Sequence, residues 1–259
     1  MSASGDGATP GMRAPLRAVL FDFDHTLTDF GDHVRWADAR PAVQHVYREA
    51  GVPDAFLEAH LGSITLYIAV GALEPLTGAA LIEVQRLASA VLTEFEAEAT
   101  TTTEALPGAP DVPAALARHG LRSAIVTSNA ASVVRANLGR FGLESAFEVV
   151  IGRDQVARLK PAPEGLLAAC RALGVPPAAA AYVGDSVADI EAASAAGMAA
   201  WGIATGPTSA DDLWAAGAEI VFDTLEEVLE HLDQSTDENT DESVEASIDS
   251  PVSTTARPR

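Results

Sequence analysis

The chain has 259 residues, of which 48% are hydrophobic and 20% charged, so it can form one large domain or a core with a smaller companion. Its formal net charge of -21 argues against nonspecific attraction to nucleic acid or anionic lipid, since both need basic patches. No apolar run approaches the roughly 20 residues that span a bilayer. The single Cys170 leaves no basis for a disulfide framework. We expect a cytoplasmic monomer or homodimer with no nucleic-acid or membrane partner.

The first predicted strand, 17–24, is an apolar run that ends in Asp22 and Asp24. The residues before it, 1–16, are small and polar and are expected to be a disordered leader. Alternate residues of a strand face the same side, so both carboxylates are expected at one point. Two like charges so close raise each other's proton affinity unless a cation lies between them or one stays protonated. The pattern favours a metal site, an acid/base pair, or both.

A long insertion follows this strand. The next convincing buried strand, 123–127, comes after 98 intervening residues, whereas a strand-helix-strand crossover takes about 30. Apolar side chains at helical spacing predict a helical cap domain over 30–104. Pro41 is expected at the first position of a helix that Gly51 terminates. Further helices are predicted at 54–60, 64–70 and 79–99.

After the insertion, predicted strands and helices alternate, which is typical of a parallel sheet covered on both faces. We expect an α/β fold with a doubly wound, Rossmann-like core over 17–29 and 105–232. Residues 233–259 are rich in Asp, Glu, Ser and Thr and are expected to form an acidic disordered tail. The predicted strands are 147–151, 180–184, 199–203 and 219–222, and the predicted helices are 111–119, 131–141, 163–173, one ending at 196, and 210–216.

Polar residues stand at or after the ends of several core strands. Thr127, Ser128 and Asn129 close the strand 123–127, although such residues are also ordinary helix caps. Lys160 is the only lysine in a chain with fifteen arginines, which is hard to explain as surface decoration. A compact ammonium can reach a phosphate oxygen and an aspartate together, and a planar guanidinium substitutes poorly for it.

Asp185 and Asp189 follow the strand 180–184. They are spaced i, i+4 on the first turn of a predicted helix and therefore share a face. Two acids in that position could also do no more than complement the helix dipole.

The chain resembles the haloacid dehalogenase (HAD) superfamily. Its insertion after the first motif is similar to that of phosphoglycolate phosphatase-like and β-phosphoglucomutase-like members. The four family motifs match, in order, Asp22-Phe23-Asp24-His25-Thr26-Leu27, Thr127-Ser128-Asn129, Leu159-Lys160-Pro161-Ala162-Pro163 and Gly184-Asp185-Ser186-Val187-Ala188-Asp189.

The resemblance implies a magnesium-dependent phosphatase that acts on a small phosphorylated metabolite. Asp22 is then the nucleophile that forms an aspartyl-phosphate, and Asp24 serves first as acid and then as base. Mg²⁺ is expected on Asp22, Asp185 and the backbone carbonyl of Asp24, with Asp189 acting through water.

The same resemblance assigns the phosphate oxygens to Thr127, Ser128, Asn129 and Lys160. Thr26 is expected to orient Asp24. Two alternatives stay open: a phosphomutase acting on a sugar phosphate, which would use the same core, and a non-catalytic phosphate-binding regulatory module whose acidic tail contacts a basic partner.

His25 occupies a position where the family often has Gly. We expect its imidazole to point outward, the alternative being that it faces the cap and touches substrate. The polar residues of the cap match no specificity signature, and most are expected on solvated helix faces. They are Arg35, Trp36, His45, Arg48 and His60.

Overall fold

The structure is a computed structural model that describes residues 15–73 and 76–234. The predicted leader and acidic tail lie outside the described residues, apart from two residues of each. Within the described ranges no helix combines the length and the apolarity needed to cross a membrane.

A six-stranded sheet with every strand pair parallel forms the core, in the order β3-β2-β1-β4-β5-β6. The first strand along the chain lies in the middle of this order, between the second and the fourth. Such an order, with helices between the strands, confirms the predicted doubly wound α/β fold. The strands are β1 Ala18–Phe21, β2 Arg122–Val126, β3 Val149–Ile151, β4 Ala180–Gly184, β5 Ala199–Ile203 and β6 Ile220–Phe222.

Alternating side chains of β1 separate the two faces of this sheet. Val19 and Phe21 belong to one apolar cluster, and Ala18 and Leu20 belong to the other. Because both faces are apolar, both must be covered, and the helices between the strands do this. The core helices are α6 Val112–Arg118, α7 Ala131–Phe141, α8 Glu164–Leu173, α9 Val187–Ala196 and α10 Ala210–Ala215, and residues 225–234 are also helical.

Helices occupy the insertion between β1 and β2, and they enclose a third apolar cluster of their own. This cluster includes Val43 and Tyr47 from the second helix and Leu92 from the fifth. The helices of this insertion, called the cap helices below, are α1 Phe30–His33, α2 Trp36–Glu49, α3 Asp54–Ala59, α4 Ser63–Gly71 and α5 Gly78–Ala99.

Two predicted element ends differ most from the structure. Helix α2 begins at Trp36, and Pro41 lies inside it, because the N–H groups of Asp38 and Ala39 donate to Arg35 O at 3.0 Å and start the helix upstream. The missing N–H of Pro41 removes one helical bond and does not stop the helix. Strand β1 ends at Phe21 instead of continuing to residue 24, so Asp24 lies in a turn after the strand.

Candidate active site

Asp22 and Asp185 leave two neighbouring strands at the same edge of the sheet. Asp22 follows β1, and its N–H donates to Val183 O of β4 at 2.8 Å. Asp185 follows β4, which pairs with β1. Both side chains are buried, each residue being 6% exposed. The sheet register therefore brings together two acids that are more than 160 residues apart in the chain.

Lys160 lies between the Asp22 carboxylate and a third carboxylate, that of Asp189. Its Nζ lies 2.9 Å from Asp22 Oδ1 and 2.5 Å from Asp189 Oδ1, and Lys160 is only 8% exposed. The same ammonium donates to the Tyr182 hydroxyl at 3.0 Å, which in turn donates to Val126 O at 2.6 Å. Tyr182 thus connects Lys160 to the residue that precedes Thr127.

Asp189 and Asp185 have different surroundings. Both Asp189 oxygens have protein partners, because Oδ2 accepts from the N–H and the hydroxyl of Ser186 at 3.0 and 2.6 Å while Oδ1 faces Lys160. The Asp185 carboxylate accepts no hydrogen bond from any described residue, although the backbone closes over it: a Cβ on Gly206 would lie 1.9 Å from Asp185 Oδ2. Asp185 therefore keeps free oxygens, and Asp189 fixes Lys160.

The carboxylate cluster carries more negative charge than Lys160 balances. Burial raises the pKa of Asp185 to about 8, helped by repulsion from Asp189 and Asp22. Burial also raises the pKa of Asp22 to about 6, although Lys160 opposes this. Burial works against the Lys160 ammonium, but the Asp189 and Asp22 carboxylates outweigh it and raise the lysine pKa.

Three buried carboxylates, those of Asp22, Asp185 and Asp189, have oxygens within 4.8 Å of one another. Hard oxygen donors with excess negative charge suit a hard divalent cation. The residues present therefore fit the divalent metal that the fold implies. Asp22 and the unpartnered Asp185 are the side chains that would provide ligand oxygens.

Asp24 lies beside this cluster, in the turn after β1. Its Oδ1 accepts from the Gly31 N–H at 2.6 Å, and its side chain is 24% exposed. Any side chain at Gly31 would collide with it, since a Cβ there would lie 2.3 Å from Asp24 Oδ2. Burial raises the pKa of Asp24 and so favours its protonated form. The Thr26 hydroxyl, expected to orient Asp24, is buried without a partner among the described residues.

His25 departs from the expected orientation. Its φ of 51° places it in the left-handed region, which explains why glycine suits this position. The ring does not point freely outward: it is 21% exposed, with Nε2 3.8 Å from Asp24 Oδ1 and 3.9 Å from Asp32 Oδ1. The expectation of an outward imidazole was wrong, because the turn directs the ring back along the Asp24 loop.

Thr127, Ser128 and Asn129 form the loop after β2. Thr127 Oγ1 accepts from the Asn129 N–H at 3.3 Å. The Asn129 Nδ2 group is buried and has no acceptor among the described residues. The loop thus follows β2 at the carboxyl edge of the sheet, as Asp22 follows β1, and it carries a buried amide donor without an acceptor in the described ranges.

Sequence reasoning missed Arg153 and Glu96, which join the cap to this loop. Arg153 Nη1 donates to Glu96 Oε1 at 2.6 Å and to Ser128 O at 2.8 Å, and both charged side chains are fully buried. Glu96 Oε2 also accepts from the Ala130 N–H at 3.1 Å. Neither residue stands out in a sequence with fifteen arginines and many acids, and only the fold brings together positions 57 apart.

Leu159, which precedes the site lysine in the third motif, makes a second connection to the cap. It is 7% exposed and belongs to the apolar cluster of the cap helices, which also contains Leu66 and Tyr67. The residue that precedes the site lysine is therefore part of the cap's own core.

The polar cap residues vary in exposure. Arg35 and Arg48 form exposed ion pairs with Glu98 and Asp54, as expected of solvated helix faces. His45 is exposed, and His60 is half-buried with Nδ1 2.8 Å from Phe56 O. Trp36 differs, because its indole N–H donates to Gly31 O at 3.0 Å and ties α2 to α1, whose Gly31 N–H contacts Asp24.

Comparison with known proteins agrees with this geometry. The chain belongs to the haloacid dehalogenase-like hydrolase family, which matches residues 16–197. It is 30% identical over 218 residues to a phosphoglycolate phosphatase of Pseudomonas putida, covering 82% of this chain and 78% of the relative. An N-acetylmuramic acid 6-phosphate phosphatase of Pseudomonas aeruginosa is 28% identical over 221 residues, covering 84% and 95%. The crystal structure of a hydrolase from Pseudomonas syringae shares the fold, with a TM-score of 0.63, 24% identity and coverage of 84% and 98%.

Proposed function

We propose that the protein is a magnesium-dependent phosphatase that hydrolyses a small phosphomonoester metabolite through an aspartyl-phosphate on Asp22. The observation that carries this proposal is the Lys160 ammonium, which lies between Asp22 and Asp189 at 2.9 and 2.5 Å beside the unpartnered Asp185. The relatives named as phosphatases support the same reaction class.

In the first step, an Asp22 oxygen forms a bond to phosphorus in line with the leaving oxygen, whose bond to phosphorus breaks. Asp24 gives its proton to the departing alkoxide. In the second step, water bonds to phosphorus, Asp24 takes a proton from that water, and the bond from Asp22 to phosphorus breaks to release phosphate. One residue acts as acid and then as base, so it ends the cycle protonated as it began.

Lys160, the Thr127 hydroxyl, the Ser128 N–H and the Asn129 amide would bind the remaining phosphate oxygens as charge moves in the transition state. Asp189, whose oxygens are already used, is proposed to position Lys160. Mg²⁺ held by Asp22, Asp185 and the backbone carbonyl of Asp24 would offset the negative charge of the cluster and of the substrate phosphate.

We also propose that residues 30–104 form a cap domain on a core of 17–29 and 105–232. The separate apolar cluster of helices α2 to α5 supports this division. A cap over the strand ends can exclude bulk water and large substrates.

A phosphomonoester assay tests the reaction. Phosphate release should require Mg²⁺ and stop in chelator, and acid-quenched enzyme should carry one phosphoryl group on a peptide that contains Asp22, which Asp22→Asn abolishes. Turnover that persists in chelator and in Asp22→Asn would contradict the proposal. Isomerised sugar phosphate in place of free phosphate would instead indicate the phosphomutase.

A further inference from the structure

A cavity of about 560 Å³ lies within the cap, between the start of helix α2 and the segment that leads into helix α4. Polar and apolar side chains share its wall. Those that matter here are Trp36, Arg40, Leu61, Ser63 and Thr65.

Two donors on this wall have no acceptor. Arg40 Nε and Ser63 Oγ are both buried, and no described residue makes a hydrogen bond with either. Ser63 is only 4% exposed. A buried donor left unpaired costs free energy, so two of them in one cavity indicate that a ligand supplies the acceptor.

Arg40 is also unusual among the arginines. In a chain of net charge -21, most described arginines have a carboxylate or carbonyl partner. Among the described arginines that lack such a partner, Arg40 is the one that is not exposed. An unbalanced, partly buried guanidinium in so acidic a protein favours an anion with oxygen acceptors. The arginines without a partner in the described ranges are Arg17, Arg40, Arg135 and Arg171.

A chain of hydrogen bonds connects the cavity wall to the proposed acid/base residue. Trp36, on its wall, donates to Gly31 O at 3.0 Å, and the Gly31 N–H donates to Asp24 Oδ1 at 2.6 Å. Arg40 follows Trp36 by one helical turn and so lies on the same face of α2. The leaving group must contact Asp24 to receive its proton, and this cavity is connected to Asp24 through Gly31 and Trp36.

We propose that Arg40 and Ser63 bind an anionic group on the leaving portion of the substrate, so that the enzyme selects phosphomonoesters bearing a carboxylate or a second phosphate. This inference rests on the proposed phosphatase function. Arg40 supplies the charge and Ser63 a hydroxyl donor, and both are specificity-determining residues.

The test compares kcat/KM for three substrates of similar size: a phosphorylated hydroxy acid, a bisphosphate, and a phosphomonoester with a neutral leaving group. Wild-type enzyme should prefer an anionic substrate. Arg40→Gln should lower the ratio of anionic to neutral kcat/KM by about 30-fold, and Ser63→Ala by about 5-fold, as expected for charged and neutral hydrogen bonds. Arg40→Lys, which keeps the charge, should restore part of the ratio.

Arg48→Gln is the matched control, because Arg48 lies on the same helix but is exposed and paired with Asp54. It should leave the ratio unchanged. If the variants lower the kcat/KM ratio only for the phosphorylated hydroxy acid, the bound group is a carboxylate. If they lower it only for the bisphosphate, the bound group is a phosphate.

Equal ratios in wild type, Arg40→Gln and Ser63→Ala would overturn the inference while leaving the phosphatase intact. No turnover of any substrate by wild type would instead overturn the proposed function. Should Arg40→Gln fail to fold, Ser63→Ala and Arg40→Lys measure the same ratio.

Discussion

Two cationic side chains are buried in the described part of the chain, Lys160 and Arg153, and they differ in how well their charge is balanced. Arg153 faces one carboxylate, Glu96, and otherwise neutral acceptors such as Ser89 Oγ and Ser128 O. Lys160 pairs with both Asp22 and Asp189. The Arg153–Glu96 pair is neutral, whereas the two carboxylates around Lys160 carry more negative charge than its ammonium balances.

This difference separates a structural contact from a reactive one. A buried, fully satisfied pair holds two parts of a fold together and offers a ligand nothing. The cluster of Asp22, Asp185 and Asp189 carries excess negative charge and has unpartnered oxygens on Asp185. A bound cation would balance that charge and use those oxygens. Arg153 thus joins the cap helices to the loop after β2, whereas Lys160 lies in the cluster that is proposed to carry out the reaction.

The largest expected effect follows from removing the proposed nucleophile. Asp22→Asn should lower kcat/KM by at least about 10⁴-fold, since no other carboxylate is proposed to bond to phosphorus. The thermal midpoint in chelator should not fall, because the substitution removes a buried like charge. Activity within about tenfold of wild type would contradict the assignment.

Breaking the balanced pair should affect stability more than chemistry. Arg153→Met leaves Glu96 buried and uncompensated, which should cost about 3–5 kcal/mol in the free energy of unfolding. Urea unfolding measures this. Arg86→Met is the control, because Arg86 forms an exposed pair with Glu83 on the same helix, and its unfolding midpoint should stay at the wild-type value.

Changing the shape of the Lys160 cation should affect the chemistry more than the stability. Lys160→Arg keeps the charge, but a guanidinium does not fit where Nζ lies 2.5 Å from one carboxylate and 2.9 Å from another. We expect kcat to fall about 100-fold. Steady-state kinetics measures it, and near wild-type kcat would mean that only the charge matters.

The smallest effect concerns pH. The Asp185 pKa is raised to about 8 in the folded protein. Its contribution to stability is therefore fully present below the unfolded value of about 4 and lost as pH rises through 8. In chelator, Asp185→Asn should be more stable than wild type at pH 8 and equal to it near pH 4.

Thermal unfolding in chelator at both pH values measures this difference. The exposed Asp211→Asn should show no such dependence. If the stability of Asp185→Asn depended on pH as much as that of wild type, the charge effect would lie on another residue of the cluster.

The sequence predicted most of the core, because there the local pattern decides the structure. Strand 180–184 and helix 131–141 appear with the predicted limits, each ended by a glycine or a change of periodicity. It also indicated Asp22, Lys160 and Asp185 as site residues, since the chemistry of the site needs those side chains at strand ends. The structure brings these three together, and their roles stay predictions.

The rest depends on contacts that a local pattern does not contain. Pro41 lies inside a helix because hydrogen bonds to Arg35 start that helix earlier. Arg153 and Glu96 meet only once the cap has folded onto the core. Tyr182 reads as an ordinary strand residue, yet its hydroxyl contacts Lys160.

Leu159 and Lys160 are consecutive residues with anchors in different parts of the molecule, the first in the cap cluster and the second among the core carboxylates. Consecutive Cα atoms are about 3.8 Å apart, so the two anchors can separate by little more than side-chain reach. A swing of the cap away from the sheet must either pull Leu159 out of its apolar surroundings or carry Lys160 away from Asp22. Access to the site and the electric field at the proposed nucleophile are thereby mechanically linked.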